Sequence, residues 1–147
     1  MVANNLLKFI LTGLGGNSGS SSFMSSAYLA LSTTPPNKDG TGVTEPPASS
    51  GYRRAQLGAS SETRYMSTPT EEASTGRYVI TNNKEIHFDE ATEDWGTITH
   101  FAIYTSATGG TMYYYGALSQ AVNVTANTVP LLKKNTLEIK LGASEIA

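Results

Sequence analysis

The densest collection of side chains able to do chemistry lies between residues 84 and 94, KEIHFDEATED, which holds Glu85, His87, Asp89, Glu90, Glu93 and Asp94. On an extended strand successive side chains alternate between faces, so Glu85, His87 and Asp89 share one face and Ile86 and Phe88 the other. A histidine with two carboxylates offers the ligand types for a metal ion. The segment nevertheless lacks the glycine-punctuated spacing of a calcium loop and the HExxH spacing of a helical zinc site. Paired carboxylates can also cleave a glycosidic bond when separation and environment give them different roles. Here the acids crowd into one short polar loop, and Trp95 is the single tryptophan available to stack on a sugar. Serine chemistry lacks its elbow, since no GxSxG occurs and only His87 and His100 could serve as base. His100, between Thr99 and Phe101, reads as a satisfied polar residue of a sheet. The cluster is therefore expected to be a solvated strand face leading into an acidic loop, with no catalytic residue, no metal site and no cofactor.

Composition points the same way. At 147 residues the chain fits one domain with one core. Only 15% of its residues are charged, and the formal net charge is -2. That balance argues against nucleic acid, whose phosphates are neutralised by Lys and Arg. Arg53 with Arg54 and Lys133 with Lys134 are isolated basic pairs. No segment approaches the roughly 20 consecutive apolar residues of a membrane-spanning helix, so no membrane partner is expected. The absence of cysteine excludes a disulfide framework, a thiolate metal site and a cysteine nucleophile.

The elements that would position these residues are mostly strands. At the amino terminus Val2, Leu6, Leu7, Phe9, Ile10, Leu11 and Leu14 recur mostly at helical spacing and end at Gly13, Gly15 and Gly16. No basic segment precedes this run and Lys8 lies inside it, so it reads as a short helix rather than a secretion signal. Its apolar surface is wider than one stripe. Either it plugs the end of its own core, or Leu6, Leu7, Phe9 and Ile10 anchor it in a partner or a second copy. Residues 17–26 are a Gly/Ser/Asn spacer, which leaves 27–147 as the body. In the body, Ala27 to Thr33 alternates as a half-buried strand, and Thr34 to Ser50 is a Pro/Gly loop expected to be an exposed excursion. Strands are expected at Tyr52 to Leu57, Arg77 to Thr81, Lys84 to Phe88, Ala121 to Thr125 and Thr136 to Leu141. Asn82 and Asn83 suit positive backbone dihedrals between two of them. Ser60 to Gly76 reads as irregular.

Trp95 to Leu118, WGTITHFAIYTSATGGTMYYYGAL, reads as a β-hairpin turning at Ser106 to Gly110. Alternation along its second strand sends Tyr114 to one face and Tyr113 with Tyr115 to the other. At least one ring then faces away from the core, which marks the three tyrosines as candidates for a subunit contact. Seven or eight short strands without helical patterns among them favour a mainly β fold: one antiparallel β-sandwich, jelly-roll-like, with a short amino-terminal helix.

This hairpin, together with AYLALSTTPPNKDGTGVTEPPASSGYRRAQL over Ala27 to Leu57, resembles a widespread family of small tailed-bacteriophage virion proteins labelled tail fibre or minor structural proteins. The resembling pieces are the strand around LALSTT, the loop ending in GTGVTEP, the Gly-Tyr-Arg strand, WGTITHFAIY, the ATGG turn and YGAL. They occur in the family's order over nearly the whole chain. Ser60 to Gly76 matches poorly, and the Gly/Ser spacer and the LGASEIA end depart from the pattern. The resemblance implies a non-enzymatic virion component: a tail fibre, collar or adaptor protein that assembles through its helix and sheet surface. Its partners would be other virion proteins and copies of itself, as a trimer by analogy with phage fibres. Two alternatives stand beside it, a capsid decoration or head-fibre protein and a module that binds host surface glycan.

Overall fold

The computed structural model describes residues 1–6, 27–57, 67 and 69–142. Residues 4–6 are helical. The rest of the expected helix, with Leu7, Phe9 and Ile10, and the spacer over 17–26 lie outside the described residues. The described chain is mainly β, with nine strands: β1 Tyr28–Ser32, β2 Ala55–Gln56, β3 Thr70–Glu71, β4 Tyr78–Thr81, β5 Ile86–His87, β6 Gly96–Tyr104, β7 Met112–Val124, β8 Leu131–Leu132 and β9 Glu138–Leu141. All pairings are antiparallel, in sheets of order β2-β1-β6-β7, β3-β4-β9 and β5-β8.

The hairpin forms one side of the largest sheet, with β7 at its edge, and both faces of that sheet are covered. On one face Leu29, Leu31, Ile98, Phe101, Ile103 and Tyr114 share a core with Ile86, Phe88 and Leu137, while Ile139 and Leu132 pack at its margin. The smaller sheets thus close over the larger one, the sandwich-like layering expected. On the other face Ala30, Ala102, Tyr104, Met112 and Tyr115 form a second core with Ala3, against which Val43 packs. The loop after β1 is exposed over much of its length, as expected, but it also lends Val43 to this cover. Pro36 and Pro46 are buried. Thr33 donates its amide to the Thr44 carbonyl at 3.0 Å, and Asn4 donates to the Lys38 carbonyl at 3.1 Å. A proline-rich segment cannot extend a ladder, but it can lie across a sheet whose small residues, Ala30 and Ala102, leave room for it.

β4 and β5 are separate strands, as expected: β4 lies between β3 and β9 while β5 pairs with β8. Two expectations need correction. Positive dihedrals fall not on Asn82 or Asn83 but on Asn127 and Asn135. Ala121 to Thr125 is not a separate strand but the continuation of β7.

Asn82 instead closes the core. Fully buried, it donates its side-chain amide to the carbonyls of Lys84 and Lys133 at 2.8 and 2.9 Å. Its side-chain oxygen accepts from the amides of Thr136 and Leu137, both at 2.9 Å. One short amide thereby stitches the β4–β5 link to the turn before β9. Removing it takes one partner from each of these four backbone groups, among them the buried Leu137 amide. Asn82→Ala is expected to cost about 3 kcal/mol, read as a lower urea midpoint at unchanged slope.

Candidate assembly surface and the network behind it

The segments that carry the family resemblance converge on one buried ion pair. Arg54, from the GYRR segment, has a side chain only 6% exposed and pairs with Glu45 of GTGVTEP. Its Nε donates to Glu45 Oε1 and its Nη2 to Oε2, both at 2.9 Å, a two-pronged match of guanidinium to carboxylate. Nη1 donates to the carbonyls of Ser106 and Gly109 at 2.8 and 2.7 Å, gripping the turn of the hairpin from inside. The guanidinium carbon sits 3.8 Å from the centre of the Tyr104 ring, where a cation is attracted by the ring face. Tyr52 extends the network, donating its hydroxyl to Glu45 at 2.6 Å and accepting the Leu31 amide of β1 at 3.1 Å. Its ring meets the edge of Trp95 at 5.3 Å, and the indole N–H bonds the Ser50 carbonyl at 3.0 Å.

Burial is the strongest single influence on Glu45 and disfavours its charge. Hydrogen bonds from Arg54 and Tyr52 outweigh it and hold the carboxyl below its ordinary value. Burial pushes the Tyr52 hydroxyl upward, with Glu45 reinforcing the shift, so Tyr52 remains a donor. On the far sheet Glu72 is held down to about 2 by hydrogen bonds from Lys140, Thr75 and Arg77.

The acidic segment is placed as its alternation implied, with Ile86 and Phe88 in the core. His87 lies 3.2 Å from Glu85, and Arg53 bonds Asp89 at 2.6 Å, all on the surface. Asp94 caps the turn after β7 by accepting the Ala126 amide at 2.8 Å. Among the described residues, no three His, Cys, Asp or Glu side chains gather in a group that could hold a metal ion. His100 is half-buried and shares a hydrogen bond with the Thr99 hydroxyl at 2.7 Å.

The tyrosines depart from simple alternation. Tyr104 pairs with Met112 and Ile103 with Tyr114, so Tyr113 is an extra residue, a β-bulge. Tyr113 therefore packs toward the same core as Tyr114, while Tyr115 joins the other core with Met112. Tyr113 and Tyr115 do not share a face. Tyr114 and Tyr115 are each 8% exposed within this chain. The Tyr114 hydroxyl accepts the Lys140 amide of β9 at 3.2 Å, joining two sheets. Gly116 follows them because the Phe101 ring lies over it: a Cβ there would stand 2.9 Å from the ring. That close approach lets Phe101 stack on Tyr114 at 6.2 Å.

The outer edge of β7 is partly closed by the chain's own first residues. Val2 bridges Tyr114, and the amides of Ala3 and Tyr115 donate to the carbonyls of Tyr113 and Met1, each at 3.0 Å. Val2, Ala3 and Leu6 are buried there. Beside them Val2, Leu6, Tyr78, Tyr113 and Leu141 line an apolar groove of about 290 Å³. Sequence reasoning named Leu6 and the tyrosines. It missed Arg54 and Glu45, whose only signal was a charged residue inside each of two resembling motifs.

A β body whose buried polar groups are engaged in holding its own loops, with an apolar groove on its surface, has the character of a structural module. The class is that of a phage fibre structural protein, a component of the virion. The chain belongs to the family described as podophage GP4 fiber I protein gp80, which it matches over residues 2–140. No curated protein matches it.

Two outcomes follow from the network. Arg54→Met takes two hydrogen bonds from the half-buried Glu45, which keeps Tyr52, and frees two turn carbonyls, with an expected loss of about 3 kcal/mol in urea denaturation. Acid should also weaken the fold. Carboxyls held below their unfolded value of 4.5 contribute fully above it and lose that contribution as pH falls through the folded value, reaching about 2 for Glu72. The pH profile of stability in Glu45→Gln/Glu72→Gln should be flatter than that of the parent over this window.

Proposed function

We propose that the chain is a non-enzymatic building unit of its fibre, serving as a collar, adaptor or fibre segment. In this reading residues 1–16 attach it to a neighbouring virion protein or copy, residues 17–26 are the spacer, and the body over 27–147 contacts further copies. One observation carries it: Leu6, first of the four apolar anchor residues, is buried at a groove that Tyr113 also lines. Two contact elements far apart in sequence thus meet on one apolar surface, next to the point from which Leu7, Phe9 and Ile10 continue. Among the exposed acids, Asp89 is paired with Arg53 and Asp94 serves as a cap.

Removing the whole amino terminus would uncover the β7 edge and confound the result, so the test leaves residues 1–6 in place. Leu7→Ser/Phe9→Ser/Ile10→Ser is expected to keep the circular-dichroism spectrum and melting of the parent while dropping out of purified particles on immunoblotting. Normal incorporation would show that these residues are not the anchor.

A further inference from the structure

Beside β2, the outer strand of the four-stranded sheet, lies a cleft of about 750 Å³. That volume falls within the range of about 300–1,000 Å³ usual for ligand sites. Three segments border it: the loop around Pro46, the hairpin turn at residues 107–109 and the acidic segment at residues 87–89. Arg54 fixes the spacing of the first two, because its guanidinium bonds Glu45 on one and the Ser106 and Gly109 carbonyls on the other. The cleft is thus set before a ligand enters, which removes most of the ordering cost of binding.

Its lining combines an apolar base with a polar rim. Pro46, Ala55 and Phe88 are buried. On the rim the Arg53 side chain, 80% exposed, bonds Asp89 through Nε alone. Both of its Nη nitrogens and the second Asp89 oxygen are left to meet a ligand. Gln56 and Thr108 are exposed beside them.

We infer that this cleft is a binding site for a neutral oligosaccharide. Arg53 and Arg54 are balanced by Asp89 and Glu45, so the cleft offers no net charge to an anion or a cation. A protein partner would need apolar anchors. The large apolar side chains exposed among the described residues, Met1, Tyr78, Val122, Val129 and Leu131, all lie elsewhere. What the rim presents is a guanidinium, a carboxylate and a carboxamide, donors and acceptors side by side. Neighbouring sugar hydroxyls each donate and accept, and charge-assisted bonds to a paired Arg and Asp satisfy both roles at once. The half-buried Tyr28 ring supplies an apolar face for the C–H side of a sugar ring. The cleft shares no lining residue with the groove at Leu6, so recognition here is independent of how the chain is anchored.

The full chain, purified and labelled with nitrogen-15, is titrated with neutral oligosaccharides of glucose, galactose, mannose, rhamnose and N-acetylglucosamine, and separately with phosphate and a polyuronate. With at least one neutral sugar, amide shifts should saturate and centre on residues 53–56, 87–89 and 107–109. Arg53→Ala and Asp89→Ala, at exposed positions and checked for unchanged melting, should each raise the dissociation constant by about 10-fold or more. Glu71→Ala, on β3, should leave it unchanged, and both cleft variants should still enter particles. No saturable shift with any neutral sugar, shifts centred elsewhere, binding of phosphate or the polyuronate alone, or a dissociation constant indifferent to both alanines overturns the inference. If Arg53→Ala and Asp89→Ala drop out of particles, the cleft is a contact between virion proteins and the inference fails.

Discussion

The buried pairing of Arg54 with Glu45 is the constraint on which the rest of the arrangement depends. Through it the loop after β1, the GYRR segment, the hairpin turn and β1 itself are fixed to one another. A buried ion pair is a weak source of net stability, because desolvation offsets most of the attraction and a well-packed apolar group often does as well. Its contribution is direction. The planar guanidinium places several donors at fixed angles, and here they meet acceptors on two segments, Glu45 of the loop and the turn carbonyls of Ser106 and Gly109. An apolar substitute could fill the volume but could not choose where the turn carbonyls of Ser106 and Gly109 sit.

Fixing the turn has consequences along both hairpin strands. With the tip held, β6 and β7 leave it in a set register, and the extra residue Tyr113 falls close to the turn. The bulge then decides which core each tyrosine joins. Had strict alternation continued, Tyr113 would lie with Tyr115 beneath the proline-rich loop. Instead that face keeps the small residues Ala30 and Ala102, over which the loop and Ala3 pack closely. The larger rings of Phe101 and Tyr114 go to the face where the smaller sheets leave more room.

What the residue pattern revealed follows from what it measures. Period-two alternation reports one buried face, so it found β1, β6 and β9 and placed Ile86 and Phe88 inward. It was silent on two-residue strands such as β3 and β8, which are too short to show a period. The proline loop reads as exposed because proline cannot join a ladder, and most of it is, yet Pro36 and Pro46 are buried. Asn82 looked like a turn residue because asparagine tolerates positive φ. Its role is instead to satisfy four backbone groups that come from positions 84 to 137, a long-range demand invisible to any local window. Arg54 and Glu45 were hidden for the same reason: they are nine residues apart, and the acceptors that give the pair its meaning come from the hairpin turn.

The hairpin that Arg54 grips at its turn is fastened farther along as well. The network around Arg54 holds the turn, Gly116 lets Phe101 lock onto Tyr114, and the Tyr114 hydroxyl ties β7 to β9. These three fastenings lie before residue 117, and the Trp95 amide bonded to the Val124 carbonyl at 2.8 Å holds the far end. Between these fastenings the chain leaves the ladder, with residues 118–121 opposite Thr99 alone, so the hairpin is held at its turn and at its base and departs from regular pairing in between.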